Sequence, residues 1–328
     1  MKTFSVGSFN TRNLANPNEF FYTDEKYTLD EYNKKVAWIR NQIHHMGCNI
    51  IGFQEIFHEQ ALKDCLKGTQ LQNGQLFIAK NETGPSVALV SNFPLTDIEV
   101  VREIPDNVIT ALGSYAVITQ FTRPVLKANI ELGPSTKIAV LVTHLKSKKP
   151  DYIDNENRHD IHIYHYGETR SLIKRAIEAA GLREIIIRLI RDNTNPLIVM
   201  GDFNESTRAV TSDIISGPDS YKNMPMEKKK SIWDVKMYDA FDILIQKTYN
   251  NSWYTHIHNG SYDILDHIYF SQEFYFRNNN RKWDIDNIKI LNDHLVDETN
   301  MAVHLDKTIS DHGQIAVEIS EDLPKNYH

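Results

Sequence analysis

Polar side chains in this sequence recur directly behind short apolar runs. Asn195-Pro196-Leu197-Ile198-Val199-Met200 leads into Gly201-Asp202-Phe203-Asn204, and Asn10, Glu55, His144, Asp311 and His312 stand at or beside the ends of other candidate strands. Open α/β sheets bind their ligands at the carboxyl ends of strands. Gly201 permits a sharp turn, and Asp202 and Asn204, two residues apart, can point into one cleft as a hydrogen-bonding pair. Taken singly, Asp-x-Asn is as readily an Asx-turn, and His144 or Asp311-His312 as readily a strand end with a solvated histidine. Asp266 is harder to dismiss. It sits inside the apolar run from Tyr262 to Phe270, where an unpaired carboxylate would be costly. Together these carboxylates, amides and two imidazoles make a set suited to phosphoester hydrolysis. Glu55 and Asp311 are the natural anchors for a hard divalent cation, Mg²⁺ or Mn²⁺, and no clean set of His and Cys ligands suits zinc.

Hydrophobic period supplies the elements that must position these groups. Phe4 to Asn10 alternates like a half-buried strand. Leu29, Val36, Trp38, Ile39 and Ile43 suggest an amphipathic helix from about Tyr27 to Met46, stopped by Gly47. Asn49 to Glu55 reads as a second buried strand. Strands follow at Leu76–Ala79, Ser86–Ser91, Ser114–Phe121, Val125–Leu132 and Lys137–His144, a run too long for a simple βαβα alternation, so antiparallel hairpins and a mixed sheet are expected. Lys146 to Gly167 is polar without a period and reads as a functional loop. Arg170 to Asp192 is the clearest helix, with Leu172, Ile173, Ala176, Ile177 and Ala180 on one face. A short helix is expected from Thr207 to Ile215, an irregular stretch from Asp219 to Lys230 and a weaker helix from Val235 to Gln246. Strands at Tyr262–Phe270, Ile285–Leu291 and Gln314–Ile319 complete the chain.

The 328 residues, 41% hydrophobic and 24% charged, are enough for a substantial core, and no linker forces a division into domains. A formal charge of −7 argues against gripping nucleic acid by bulk electrostatics, although it leaves room for a local basic rim. Lys146, Lys148 and Lys149, close to His144, are candidates for such a rim. Lys228-Lys229-Lys230 reads as a solvated surface run. Cys48 and Cys65 read as buried thiols. No apolar run reaches signal-peptide or membrane-spanning length, so a soluble cytoplasmic protein is expected, with no protein partner evident.

Six motifs, each weak alone, stand in a telling order: Ser8-Phe9-Asn10-Thr11-Arg12-Asn13-Leu14, Phe53-Gln54-Glu55, Thr143-His144-Leu145-Lys146, Gly201-Asp202-Phe203-Asn204, Leu265-Asp266-His267-Ile268 and Ser310-Asp311-His312. From about residue 3 to residue 319 the chain resembles the endonuclease/exonuclease/phosphatase superfamily with the DNase I-like fold. The resemblance implies one domain over residues 1–328, of mixed α/β (α+β) class. Its architecture would be a four-layer αββα sandwich, two mixed β-sheets face to face and flanked by helices. Carried over by position, Glu55 resembles the metal-binding glutamate, with Asn10 and Asp311 completing or supporting that site. Asp202 and Asn204 resemble the pair that orients the attacking water and the phosphate. His312 resembles the histidine facing the scissile phosphate, Asp266 the acid that fixes its tautomer, and His144 a second histidine donating to a phosphate oxygen or leaving group. Whether Asp202 or His312 takes the proton from water stays open.

The expected activity is therefore metal-dependent phosphodiester hydrolysis, with nucleic acid (DNA or RNA) as the leading substrate. The alternatives are inositol phosphates, lipid head groups or nucleotides, and a phosphate-binding module without turnover. A calcineurin-like metallophosphoesterase is excluded, since its Gly-Asn-His-Asp/Glu motif is missing. Asn10, Lys146 and Arg170 are candidate substrate contacts, and Tyr254 to His258 a candidate rim. His159, His162 and His165, spaced by three, would share a helix face able to ligate a transition metal, although an exposed or substrate-facing loop is the preferred reading. The phrases His144-Leu145-Lys146-Ser147-Lys148-Lys149-Pro150 and Asn292-Asp293-His294-Leu295 look like a bacterial branch described only in general terms as nucleases or phosphohydrolases.

Overall fold

A computed structural model describes residues 3–22, 24–134, 136–207, 209–219, 224–245, 253–258, 261–296 and 306–321. The elements run β1 (Thr3–Leu14), α1 (Leu29–Met46), β2 (Ile50–Ile56), α2 (Glu59–Leu66), β3 (Gln75–Ala79), β4 (Ser86–Ser91), β5 (Leu95–Glu103), α3 (Asp106–Leu112), β6 (Gln120–Gly133), β7 (Thr136–His144), α4 (Ile161–Ile190), β8 (Leu197–Asp202), α5 (Val210–Ser216), α6 (Met226–Val235), β9 (Tyr238–Asp239), α7 (Ala240–Ile245), β10 (His256–His258), β11 (Ser261–Asp263), β12 (Asp266–Phe270), β13 (Trp283–Leu291) and β14 (Gln314–Glu321). One sheet has the order β13-β14-β1-β2-β4-β3 and the other β5-β6-β7-β8-β12-β9. Each carries one parallel pair at its centre, β1 with β2 and β7 with β8, among antiparallel neighbours.

Three cores follow from strands that are apolar on both faces. Along β8, Ile198 and Met200 face the other sheet, while Leu197 and Val199 face the helices. Val6, Ile50, Leu89, Val140, Val142, Ile268 and Val317 join the layer between the sheets. Phe9, Ile51 and Phe53 turn outward onto Ile39 and Ile43 of α1 and Leu62 of α2. Leu141 and Val199 turn outward onto Ile177, Leu182 and Ile186 of α4. The result is the αββα sandwich. Full burial of a Val, Leu or Ile side chain contributes about 1.5–3 kcal/mol, so these layers dominate the folding free energy. Cys48 and Cys65 are free, buried thiols, as expected. Among the described residues no helix is long and apolar enough to cross a membrane.

Helix α1 shows how local signals fix an element. Thr28 and Glu31 form a reciprocal capping box, and Gly47, at φ 64°, closes the last turn in the left-handed region. Elsewhere the structure departs from the sequence expectations. Helix α4 begins at Ile161 rather than Arg170, capped by Asp160, whose side chain accepts from His162 N. Its first turns were hidden because Ile161, Tyr164 and Tyr166 are exposed and leave no apolar period. Gly167 lets Pro150 and Asp151 cross the helix closely: a Cβ there would lie 2.8 Å from the Pro150 Cβ. The strand expected over Val125–Leu132 is longer, β6 beginning already at Gln120, whereas most of the strand expected over Ser114–Phe121 is not one: Gly113–Tyr115 is a 3-10 turn and extended pairing starts only at Gln120. Pro124 falls in a stretch of β6 where the pairing to β5 is interrupted. Helix α6 takes up the end of the stretch read as irregular, from Met226 to Lys230. Strand β5 was missed because it is an edge strand, half-buried or exposed throughout, whose pairing is interrupted between Thr96 and Glu99, where Asp97 takes a positive φ.

Candidate active site

Strand register assembles half of the site. His144 pairs with Asp202 across β7 and β8, and Asp202 pairs with Asp266 across β8 and β12. Directly opposed residues on neighbouring strands lie about 5 Å apart, so an imidazole and two carboxylates are brought side by side by backbone pairing alone. Gly201 makes this possible. Its φ is +152°, and a Cβ would lie 1.9 Å from the Thr143 carbonyl oxygen, so only glycine lets β8 approach β7 so closely just before Asp202.

The other sheet supplies the facing wall. Asn10 Nδ2 donates to Asp202 Oδ2 at 3.0 Å and lies 3.4 Å from Glu55 Oε1, tying together residues 192 and 45 positions away. Glu55 Oε2 accepts from Asn13 N at 2.9 Å. Arg12, Asn13, Glu55 and Asn204 all have positive φ, at 51°, 56°, 63° and 52°. Left-handed backbone at an arginine and a glutamate is unfavourable, and its concentration here marks strain held at a functional site. Asp311 lies on the far side of the same β1 segment, its Oδ1 3.8 Å from Arg12 Nε. Glu55 and Asp311 thus flank one stretch of β1, Asn10 to Asn13.

His312 closes the cluster. Its Nδ1 meets Asp266 Oδ2 at 2.8 Å and its Nε2 lies 3.8 Å from Asp202 Oδ2. Asp202 also receives Asn204 N at 2.8 Å and faces His144 Nε2 at 3.3 Å. Electrostatics follow from this packing. Burial pushes the Asp202 carboxyl up, but the imidazoles of His312 and His144 outweigh it and hold Asp202 far below the usual carboxylate range. Burial disfavours charge on His312, yet Asp266 and Asp202 on either side raise it well above the ordinary imidazole value. Burial also lifts the Asp266 carboxyl, against the pull of His312. For Asp311, burial is outweighed by His312 and Arg12, so its carboxyl is lowered.

Further contributors come from the Tyr254–His258 stretch, expected at the rim, and from Ser310 and His294, which lay in quoted motifs without a role of their own; Arg123 was not singled out from sequence. Ser310 Oγ donates to the Asn10 carbonyl at 2.7 Å and accepts from His312 N at 3.0 Å, pinning the β14 entry to β1. Thr255 Oγ1 accepts from Asp266 N, and the His256 ring lies 5.0 Å from that of His312, placing this stretch at the rim. His294 Nε2 meets the His312 carbonyl at 3.0 Å. Arg123 NH1 donates to the Leu145 carbonyl, behind His144, while its buried Nε has no hydrogen-bond partner. The Pro124 beside it was the only hint.

Two expected placements, those of Arg170 and Lys146, are corrected. Arg170 forms a bidentate pair with Glu156, at 2.6 and 3.1 Å, and donates to the Asp151 carbonyl, so its guanidinium clamps the 151–156 loop onto α4 instead of presenting itself to phosphate. Lys146 turns its ammonium to the carbonyls of Ser147 and Lys149, and its backbone N–H donates to Glu178 at 2.6 Å. It shapes its own loop. His159, His162 and His165 are all exposed, and among the described residues the one grouping of three metal-type side chains is Asp202, Asp266 and His312, with ligand atoms within 4.8 Å of one another.

The comparisons with known proteins agree with this architecture. Residues 7–312 match the sequence profile of the Endonuclease/Exonuclease/phosphatase family. The chain belongs to that family. Solved structures with the same fold include the human Nocturnin catalytic domain with bound sulfate, at 15% identity and TM-score 0.56, covering 98% of this chain and 95% of that one. TDP2 from D. rerio complexed with single strand DNA product matches at 11% identity and TM-score 0.56, covering 98% and 100%. The mannosyl-6-phosphatase of Bacteroides thetaiotaomicron matches at 16% identity and TM-score 0.55, covering 97% and 99%. No curated protein matches significantly. The fold is DNase I-like, and the family's enzymes are hydrolases of phosphoester bonds that generally use divalent metals.

Two donor sets offer themselves to such a metal. Within Asp202, Asp266 and His312 both ring nitrogens already face carboxylates, and a protonated imidazole has no lone pair to give. Glu55 and Asp311 are hard oxygen donors on either side of β1, and Glu55 Oε1 has only the long contact to Asn10; the Asn10 amide oxygen accepts from Arg12 N at 3.0 Å and keeps a second lone pair. The second set fits a hard divalent cation.

Proposed function

We propose that this chain is a Mg²⁺- or Mn²⁺-dependent phosphodiesterase acting on nucleic acid, DNA or RNA, by in-line attack of water within a single catalytic domain. The observation that carries the reading is Asp202, buried between His144 and His312 and joined through Asn10 to Glu55. Glu55, Asp311 and Asn10 would hold the cation, which when bound would polarise a phosphate oxygen and offset its charge. Asp202 stays ionised and, aimed by Asn10 and the Asn204 N–H, accepts a proton from the attacking water. His312 stays protonated between Asp266 and Asp202 and donates to the phosphoryl oxygen, while His144, on the opposite side of Asp202, donates a proton to the leaving oxygen as its bond to phosphorus breaks. The family relation supports phosphoester chemistry, and the nucleic-acid assignment draws on the structural neighbour bound to single strand DNA.

The test is a panel of single-stranded DNA, duplex DNA, RNA, bis-p-nitrophenyl phosphate, sugar phosphates and phosphoinositides, each with Mg²⁺, Mn²⁺ or EDTA. Nucleic-acid cleavage that EDTA abolishes is expected, and exclusive turnover of a small phosphomonoester would overturn the substrate class. Asp202→Asn, Glu55→Gln and His312→Ala should each lower turnover by about 10²–10⁴-fold with the far-ultraviolet spectrum unchanged. Near-normal rates in two of the three would refute the site.

A further inference from the structure

One cavity lies far from the cluster above. It has a volume of about 840 Å³ and is lined by Trp233, Tyr238, Tyr275, Lys230, Arg277 and Asn279 among others, a size ordinary for a small-molecule site. Its place in the fold is at the opposite end of β12 from the catalytic residues. Asp266 is the first residue of β12, whereas Tyr238 pairs with Phe270, the last; four strand residues span about 13 Å.

The lining combines three chemistries. Tyr238 and Tyr275 stack in parallel, with ring centroids 3.9 Å apart and planes inclined by 8°, so the pair forms one rigid aromatic slab. Trp233, 40% exposed on α6, adds a further ring. Lys236 is neutralised by Asp219, at 3.0 Å, and also donates to the Gly217 carbonyl. Lys230 and Arg277, both exposed, lie at the same cavity, Arg277 stacked over Phe276. Lys230 ends the run Lys228-Lys229-Lys230, a concentration of positive charge on a chain of net charge −7. Side-chain amides in the Asn278-Asn279-Asn280 run complete the wall.

Flat apolar rings recognise a planar heterocycle by stacking, cations take a phosphate, and amides read polar edges. A nucleotide carries all three. We propose that this cavity is a second binding site, for a nucleotide moiety, separate from the catalytic cluster and independent of the assignment made there. The chemistry is shared by a free nucleotide and by one residue of a single strand.

Equilibrium binding to the full chain in EDTA tests it, read by tryptophan quenching with AMP and by anisotropy with a fluorescein-labelled oligo-dT 12-mer. Ribose 5-phosphate serves as the probe that lacks a base. AMP or the oligonucleotide should bind, and the double variant Lys230→Glu/Arg277→Glu should weaken that binding at least tenfold. Its hydrolysis of bis-p-nitrophenyl phosphate should stay within twofold of the parent. Tyr275→Leu should weaken AMP more than ribose 5-phosphate; because that change could disturb folding, the exposed charge variant is the deciding one. Stronger binding of the 12-mer with a steep salt dependence assigns the site to a strand, stronger AMP binding to free nucleotide, and either supports the proposal. Unchanged affinity in the charge variant, no binding of AMP or the 12-mer, or ribose 5-phosphate binding as tightly as AMP would each overturn it.

Discussion

Asp266 carries no direct contact to a substrate atom in the scheme above, yet its carboxylate meets His312 Nδ1 at 2.8 Å. Its role is to hold that ring in place and keep it protonated. Because His312 is raised well above the usual imidazole value by its two carboxylate neighbours, a protonated His312 should sustain activity above neutral pH and be lost only on the alkaline side. Asp266→Asn removes one of those neighbours. The alkaline limb of the kcat profile should then move down by on the order of one pH unit or more; an unmoved limb would show that His312 does not act as the acid. A second residue-scale anomaly lies beneath the site. Lys35 is fully buried, its Nζ has no hydrogen-bond partner and it sits 5.3 Å over the Tyr27 ring. Burial, aided by the Arg12 charge, depresses its pKa to about 7. A lysine depressed in the folded state opposes folding fully below that folded value, and the penalty fades as pH rises toward the unfolded value. Stability of the parent should therefore increase between about pH 7 and pH 9 relative to Lys35→Met, which should be the more stable protein at neutral pH. Parallel denaturant titrations of the two proteins measure this, and equal pH slopes would contradict it.

At the scale of elements, β7 and β8 matter most because their register sets His144 beside Asp202. Gly201→Ala tests that dependence. The added Cβ meets the Thr143 backbone carbonyl, which cannot swing away as a side chain would. A cost of about 2–4 kcal/mol is expected, seen as a lower melting temperature, with turnover falling even where the variant remains folded. Wild-type stability in Gly201→Ala would mean the strands part without cost. Element legibility in the sequence tracked burial. Helix α1, with its capping box and Gly47, and the doubly apolar strands β2 and β8 were readable because local chemistry and tertiary role agree. The first turns of α4, the edge strand β5 and helix α6 were not. Their exposed residues carry no period, and they are held by partners distant in sequence, such as Arg170 with Glu156 or Ser171 with the Lys149 carbonyl.

For the whole molecule, the cluster exists because two sheets pack face to face with the ends of β1, β2, β7, β8 and β12 at one side. Gly52 marks how close they come: a Cβ there would lie 2.8 Å from Met200 Sδ on the opposite sheet. Asn10 reaches Asp202 across that interface, and Ser310 reaches back to Asn10 over 300 positions. The residue types and their order along the chain determined a mixed sheet with helices, the strand ends that bear polar groups and the kind of chemistry they suit, since apolar period and side-chain functionality are properties of short segments; the four-layer sandwich was legible only through the resemblance of the six motifs to a family. Which of those groups meet was decided only in three dimensions. Arg170 and Lys146 had the right charge and a plausible position, but a guanidinium or ammonium pairs with whichever acceptor the fold brings nearest. Here those acceptors are Glu156 and the loop's own carbonyls. The aromatic and cationic cavity at the far end of β12 likewise joins residues of α6, β9 and the segment after β12, which no local pattern connects.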